Sequence, residues 1–377
     1  AGKTLENPIL PGSGPIGGTA EKLNTLADMG LGALVTKTIT THEPILKRPF
    51  IYGEKNYIMN CEPWSEYTFE TWKEQFLPQV AEHKKQPLFV SLGYTDEDMR
   101  CLIPKLDDFA DAYEISTHYV GKDLAPMEKT MTMLRELTDK PVYMKVSPHF
   151  PDPVAFAQMV MEHGGNGIVA INSVGPCMKI DLESRSVPIG NANGQVWLGG
   201  GGGQPIAPAP LQHKKAKEQV WLSRPAIKPI ALALVNQIKS AVPECEIIGV
   251  GGVASAEDVL EFLLAGANAV EILSAALLQG RGLYTKIIEE LPSALKKYHF
   301  SSIKEVVDTE LQIGTGTTEK RTPVFDKEKC VHCGLCEQVC PFFAIGNSEQ
   351  DISVRKDKCM GCGLCRSRCP RKAISGV

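Results

Sequence analysis

The chain has 377 residues, 43% of them hydrophobic and 22% charged, enough for one large domain and a small one and unlike a disordered or collagen-like composition. Forty basic against forty-four acidic side chains leave a formal charge of -4, so no overall positive field draws the chain to nucleic acid or an anionic membrane. No apolar run reaches the roughly 20 residues of a spanning helix, and the N-terminal Ala-Gly-Lys-Thr-Leu-Glu-Asn lacks an export pattern, so a cytoplasmic enzyme is expected.

From the N-terminus to about residue 310, short β-rich runs alternate with helical segments. Strands are expected at 8–11, 32–38, 87–91, 111–117, 141–146, 167–172, 246–250 and 269–273, with amphipathic helices at 19–29, 127–138, 153–163, 227–241 and 256–264 among the crossovers. This alternation predicts an α/β fold, a (β/α)8 TIM barrel over residues 1–310, with its chemistry at the C-terminal strand ends. The first strand, with two prolines, is the least strand-like. Lys37 and Lys145 stand at two of those ends. Either can be a snorkelling stem at the rim, a cation for a flavin's pyrimidine edge, or the amine of a Schiff-base aldolase.

The run Gly249-x-Gly251-x-x-Ala254, with Glu271 about twenty residues on, imitates a dinucleotide fingerprint. Because only one strand follows it, the glycines suit a phosphate cup better, with backbone amides of Gly251, Gly252, Ser274 and Ala275 converging after strands seven and eight. A long insertion at about 176–222 carries Gly190-Asn-Ala-Asn-Gly194, five glycines from Gly199 to Gly203 and Gln-Val-Trp-Leu twice, at 195–198 and 219–222. Such a stretch is not expected to pack as core; it reads as a mobile surface insertion, a lid carrying Trp197 or Trp221, or a docking loop.

After a linker at 311–325, residues 326–377 hold eight of the twelve cysteines. They form two runs with one spacing, Cys330-x-x-Cys333-x-x-Cys336-x-x-x-Cys340-Pro and Cys359-x-x-Cys362-x-x-Cys365-x-x-x-Cys369-Pro. Three thiolates at this interval wrap one cubane and the fourth crosses to the other. Cys330, Cys333, Cys336 and Cys369 are therefore expected to hold one 4Fe-4S cluster, and Cys359, Cys362, Cys365 and Cys340 the other, in a small C-terminal bacterial-type ferredoxin domain. Structural zinc calls instead for two separated pairs of ligands. Clusters move single electrons, so a redox centre is expected elsewhere in the chain, which favours the flavin over the aldolase.

Together these features resemble the FMN-dependent dihydroorotate and dihydropyrimidine dehydrogenase family, most closely the flavin barrel and ferredoxin portion of dihydropyrimidine dehydrogenases. The resemblance rests on Ser13-Gly14, Thr36-Lys37-Thr38, Asn60-x-Glu62, Lys145, Asn172-Ser173, Ile227-Lys228-Pro229, Gly249-x-Gly251-Gly252, Ser274-Ala275 and both Cys runs. It implies that Ser13, Gly14, Lys37, Thr38 and Lys145 contact the FMN ring and ribityl chain. Asn60, Glu62, Asn172 and Ser173 match positions that hold the pyrimidine.

After the fourth strand the family reads Asn-x-Ser-Cys-Pro, whereas this chain reads Ser116-Thr117-His118-Tyr119-Val120. Ser116 stands at the Asn position, and Tyr119 or His118 is left to handle the proton, with Cys61 and Cys177 in reserve. The expected function is reduction or oxidation of a C=C or C=N bond in a small, cyclic amide-type substrate, with electrons passing between FMN and two 4Fe-4S clusters. The alternatives are a non-pyrimidine unsaturated substrate, or an electron-transfer subunit whose barrel is not catalytic. The resemblance implies a redox partner, a ferredoxin or an NAD(P)H-oxidising flavoprotein subunit, and a homodimer or hetero-oligomer is expected.

Overall fold

Apolar runs bounded by Gly, Pro and Asn become eight parallel strands: β1 (Ile9–Pro11), β2 (Leu34–Val35), β3 (Leu88–Leu92), β4 (Ala112–Ile115), β5 (Val142–Val146), β6 (Gly167–Ala170), β7 (Glu246–Val250) and β8 (Ala269–Ile272). The computed structural model describes residues 4–42, 48–54, 57–61, 64–93, 95–116, 119, 121–189, 196–198, 221–223, 227–312, 314, 318–348 and 351–377. The strand order is β1-β8-β7-β6-β5-β4-β3-β2. At the remaining seam the Gly32 amide donates to the Ile9 carbonyl at 2.9 Å. A side chain at Gly32 would drive its Cβ to 1.9 Å from the Asn7 carbonyl oxygen, so the nearly closed barrel meets itself at a residue that must be glycine.

A helix follows each strand: α1 (Ala20–Asp28), α2 (Leu77–His83), α3 (Asp96–Leu106), α4 (Ala125–Leu137), α5 (Pro153–Glu162), α6 (Lys228–Ala241), α7 (Ala256–Leu264) and α8 (Leu283–Lys297). Side chains alternate across each strand. Ile9, Val90, Tyr113, Met144, Ile168 and Val270 point outward into the layer beneath the helices, while Leu10, Phe89, Ala112, Tyr143, Val169, Ile248 and Ala269 fill the barrel's lower interior. Two residues further along, the same inward rows carry Ser91, Glu114, Lys145 and Glu271, all buried. The interior is thus an apolar layer capped by a polar one, and the polar one lies toward the C-terminal strand ends.

A five-stranded sheet unmarked by the hydrophobic pattern joins two distant loops. It contains Ile51–Glu54, Tyr57–Asn60, Val174–Cys177, Val196–Leu198 and Trp221–Ser223. Three of these strands lie at or within the insertion, whose glycine run at 199–203 lies outside the described residues. The Trp-Leu pair of each Gln-Val-Trp-Leu copy takes one register: Trp197 and Trp221 are each opposite Asn60, and Leu198 and Leu222 each opposite Val174.

The chain divides into two compact units, 1–311 and 312–377. The second pairs Val324–Phe325 with Ile374–Ser375 and Ile345–Asn347 with Ile352–Val354, around the short helices Leu335–Gln338 and Leu364–Arg368. Its buried apolar core is small, formed by Ile345, Ile374 and Cys365. Among the described residues no helix is long and apolar enough to cross a membrane.

The loop after β2 is pinned to α3 by Asp98. This fully buried carboxylate accepts from the Thr95 amide at 3.0 Å and hydroxyl at 2.8 Å, from the Thr41 amide at 2.9 Å and from the Thr40 hydroxyl at 3.1 Å. Burial opposes its charge, but the donors of Thr41 and Thr95 outweigh it and hold the carboxyl at about 2. Because that lies below the unfolded value of about 3.9, the stabilisation is complete above about pH 4 and is lost as pH falls through about 2. Asp98→Asn is expected to lower the unfolding free energy by about 2 to 3 kcal/mol at neutral pH, with the gap narrowing at about pH 3; urea titrations at the two pH values check it.

Candidate functional site

The turns that leave the C-terminal strand ends enclose a cleft of about 510 Å³. Gly12 and Ser13 after β1, Lys145 on β5, Asn172 and Ser173 after β6, Gly251 and Gly252 after β7, and Glu271, Ser274 and Ala275 on and after β8 line it. Eight residues expected at the site are thus brought together: Ser13, Lys145, Asn172, Ser173, Gly251, Gly252, Ser274 and Ala275. Thr38 joins from the side, since its hydroxyl, that of Ser13 and that of Ser91 are mutually bonded at 2.9 to 3.0 Å. Lys37 is buried in an ion pair with Glu66, and Gly14 lies against Leu273, whose Cδ2 a Cβ there would approach to 2.6 Å. Neither Lys37 nor Gly14 lines the cleft.

Lys145 ends between two buried carboxylates, 2.9 Å from Glu114 Oε1 and 3.2 Å from Glu271 Oε2. Burial alone would lower its pKa, but Glu114 and Glu271 raise it, so it remains an ammonium. A Schiff-base role, which needs a neutral amine, does not fit. The sequence reading missed Glu114 and weighed Glu271 only as a ribose ligand; the structure ties Glu271 to Lys145 inside the barrel instead. The signal available was the alternation along β4, β5 and β8, which aims all three residues inward.

At the other end of the cleft Gly251 (φ +126°) and Gly252 (φ +86°) adopt conformations that side chains rarely take. A Cβ on Gly252 would lie 2.7 Å from Lys228 Cβ and 3.1 Å from its amide nitrogen, so the glycine lets β7 turn directly against the start of α6. Lys228 itself is held by Asp258 at 2.5 Å and Glu261 at 2.6 Å. Glycines with bare amides at one end and a permanent cation at the other suit a phosphate-bearing flavin, and these residues fit FMN.

Of the substrate candidates, Asn172 and Ser173 line the cleft, whereas Ser116 and Asn60 do not. Asn172 Nδ2 lies 3.4 Å from the Ser116 hydroxyl, and Asn172 Oδ1 accepts from the Ser173 amide at 2.8 Å and hydroxyl at 3.2 Å. Asn60 is buried at the end of Tyr57–Asn60, and its Oδ1 has no partner among the described residues. Glu62 and His118 lie outside the described residues. Tyr119 is buried beside Phe150, with ring centroids 5.9 Å apart, and its hydroxyl donates to the Asp123 carbonyl at 2.5 Å; it does not line the cleft. Cys177 is half-buried, and burial pushes its thiol up to about 12, away from reactivity.

In the second unit, Cys330, Cys333, Cys336 and Cys369 line one cavity of about 360 Å³, and Cys340, Cys359, Cys362 and Cys365 another of about 330 Å³. The fourth cysteine of each run has crossed to the other's cavity. The thiols are unbonded to one another, and among the described residues no three His, Cys, Asp or Glu side chains converge as ligands of a single ion would. Cavities of this size lined by four thiols fit 4Fe-4S clusters. The runs repeat each other in space: Gly334 and Gly363 open the two helices in left-handed conformation, His332 answers Gly361, and the Ala344 and Ala373 amides each donate to a cysteine sulfur at 3.3 Å.

The dihydroorotate dehydrogenase family matches residues 1–220 and 211–295, in two pieces that meet within the insertion; 4Fe-4S dicluster domains match 323–375 and 298–344. The chain is similar to catalytic subunits of dihydroorotate dehydrogenase B (NAD(+)). Identity to that of Methanothermobacter thermautotrophicus is 28% over 315 residues, spanning 80% of this chain and 94% of the relative. For Pyrococcus abyssi it is 29% over 331 residues (83% and 98%), and for Bacillus pumilus 30% over 321 residues (81% and 93%).

Two substitutions probe these sites. Gly252→Ala is expected to weaken flavin retention at least tenfold, on the order of 1.4 kcal/mol, read as FMN released from protein of unchanged circular dichroism. Cys369→Ser is expected to remove the cluster of Cys330, Cys333 and Cys336, so that iron falls from about eight to about four per chain. Retention of that cluster would contradict the crossing.

Proposed function

Since the chain belongs to the dihydroorotate dehydrogenase family, FMN-dependent oxidoreductases acting on CH-CH bonds, and has two 4Fe-4S sites beside its barrel, we propose that it interconverts a neutral pyrimidine-type ring and its dihydro form. FMN, when bound, supplies hydride exchange and joins two-electron to one-electron chemistry. The chain's own residues do the rest. Asn172, Ser173, Ser116 and Asn60 offer the carboxamides and hydroxyls that a planar cyclic amide needs, and Lys145 presents a cation to the flavin.

The observation that carries the choice of a neutral ring is the pairing of the buried lysines. Lys145, which lines the cleft, is matched by Glu114 and Glu271, and Lys37, which lies outside it, by Glu66. An additional carboxylate on the substrate would enter a cleft whose buried cations are already balanced, which disfavours orotate although the relatives' names refer to it. Uracil and thymine carry the same ring without that charge.

For the proton, burial raises the Tyr119 pKa, and its hydroxyl is engaged by Asp123, so it can serve only as a donor and only after leaving that carbonyl. We assign the proton to His118, whose ordinary pKa of about 6.5 suits either direction. Electrons reach or leave the clusters through a partner, a ferredoxin or an NAD(P)H-oxidising flavoprotein subunit. Thiols kept for iron suit a reducing compartment such as the cytoplasm.

The test is an anaerobic spectrum of the purified chain with flavin and iron analysis, followed by mixing the reduced protein with uracil, thymine or orotate. Reoxidation by uracil or thymine at least about tenfold faster than by orotate is expected. Faster reoxidation by orotate overturns the neutral-ring reading, and no reoxidation by any of them points to another substrate or to a barrel serving electron transfer alone. His118→Asn is expected to lose about a hundredfold or more in that step, and Tyr119→Phe less than about threefold.

A further inference from the structure

Glu114, Lys145 and Glu271 project from β4, β5 and β8 into one layer of the barrel interior. Their side chains are 1%, 8% and 0% exposed. Each carboxylate gives one oxygen to Lys145 and keeps the other, Glu114 Oε2 and Glu271 Oε1, buried without a partner among the described residues. The two carboxyl groups thus meet at a single ammonium, 2.9 and 3.2 Å from its nitrogen. Among the described residues a further ionisable group near Glu271 is Tyr284 of α8, whose hydroxyl donates to the Ile272 carbonyl at 2.5 Å. From β1, Gly12 adds only backbone; a Cβ there would lie 3.6 Å from Glu271 Oε2.

Two carboxylates against one ammonium leave a net negative charge in a sealed site, where an uncompensated ion costs several kcal/mol. They also leave two buried acceptors lacking a donor, which native interiors avoid. One added proton removes both faults, because a carboxylic acid donates to its neighbour and carries no charge.

We propose that Glu114 and Glu271 hold a single proton between them, so that the triad is neutral and Lys145 is aimed at the flavin by one negative charge instead of two. Burial and the adjacent Glu114 push the Glu271 carboxyl well above the usual carboxylate range, in the same sense. The pair positions Lys145 and acts on the flavin through it, a role that rests on the FMN reading above.

Glu271→Gln separates the possibilities, because glutamine keeps the shape and is always neutral. With a shared proton in the wild type, the substitution leaves the net charge at zero, and the ratio of dissociation constants for reduced and oxidised FMN changes less than about twofold. With both carboxylates ionised, it deletes a charge beside the flavin, and the ratio moves more than tenfold, about 30 mV in the midpoint of a two-electron couple. Infrared difference spectra at neutral pH give the second readout: a deuterium-sensitive carboxylic-acid band is expected in the wild type and absent from both Glu271→Gln and Glu114→Gln. A wild type without that band, or a shift beyond tenfold in Glu271→Gln, overturns the proposal. Should Glu271→Gln fail to fold, Glu114→Gln makes the same comparison of charge. The infrared band does not depend on flavin, so a protein that proves flavin-free fails the FMN reading and still reports on the proton.

Discussion

An ammonium group sealed inside a protein must be met by carboxylates, and the upper interior of this barrel is arranged around that requirement. Lys145 can be there only because β4 and β8 each direct a glutamate inward at the same height. Strand alternation sets that height, since Ala112, Tyr143 and Ala269 occupy the apolar layer two residues below Glu114, Lys145 and Glu271. A slip of one residue in any of the three strands would turn a charge into the layer beneath the helices. Register, core packing and the cation at the cleft are therefore one constraint.

The cleft's other end depends on backbone. Gly251 and Gly252 permit a turn that presses β7 against α6, while Gly32 permits the barrel to close at β1. The antiparallel sheet ties the segment that follows β2 to the one that follows β6, bringing Asn60 and Val174 onto a shared strand neighbour. The site is thus assembled from turns on a rigid frame, as barrel chemistry generally is.

What could be read from sequence was what local pattern encodes. The strand at Glu246–Val250 and the helix at Ala256–Leu264 announce themselves by apolar runs, period and caps, and the cysteines by spacing. The antiparallel sheet was not legible, because the pairings that join its two halves, Trp197 and Trp221 with Asn60, span more than a hundred residues and its strands share no period. Glu114 and Glu271 were hidden for a related reason: a single polar residue in a strand says nothing until its partners on other strands are known. Tyr119 shows the limit of matching by position. It stands at a family site in the chain, yet its ring packs on Phe150 and its hydroxyl is turned to Asp123.

The two cysteine runs are near copies in backbone, but their cavities differ in one respect. Arg371 and His332 border the cavity of Cys330, Cys333, Cys336 and Cys369, whereas no ionisable side chain other than the cysteines borders the other among the described residues. Positive charge near a cluster favours its reduced form. With clusters bound, the Arg371 guanidinium would favour the reduced form of the one whose last ligand is Cys369, so two near copies of one fold would not hold an electron equally.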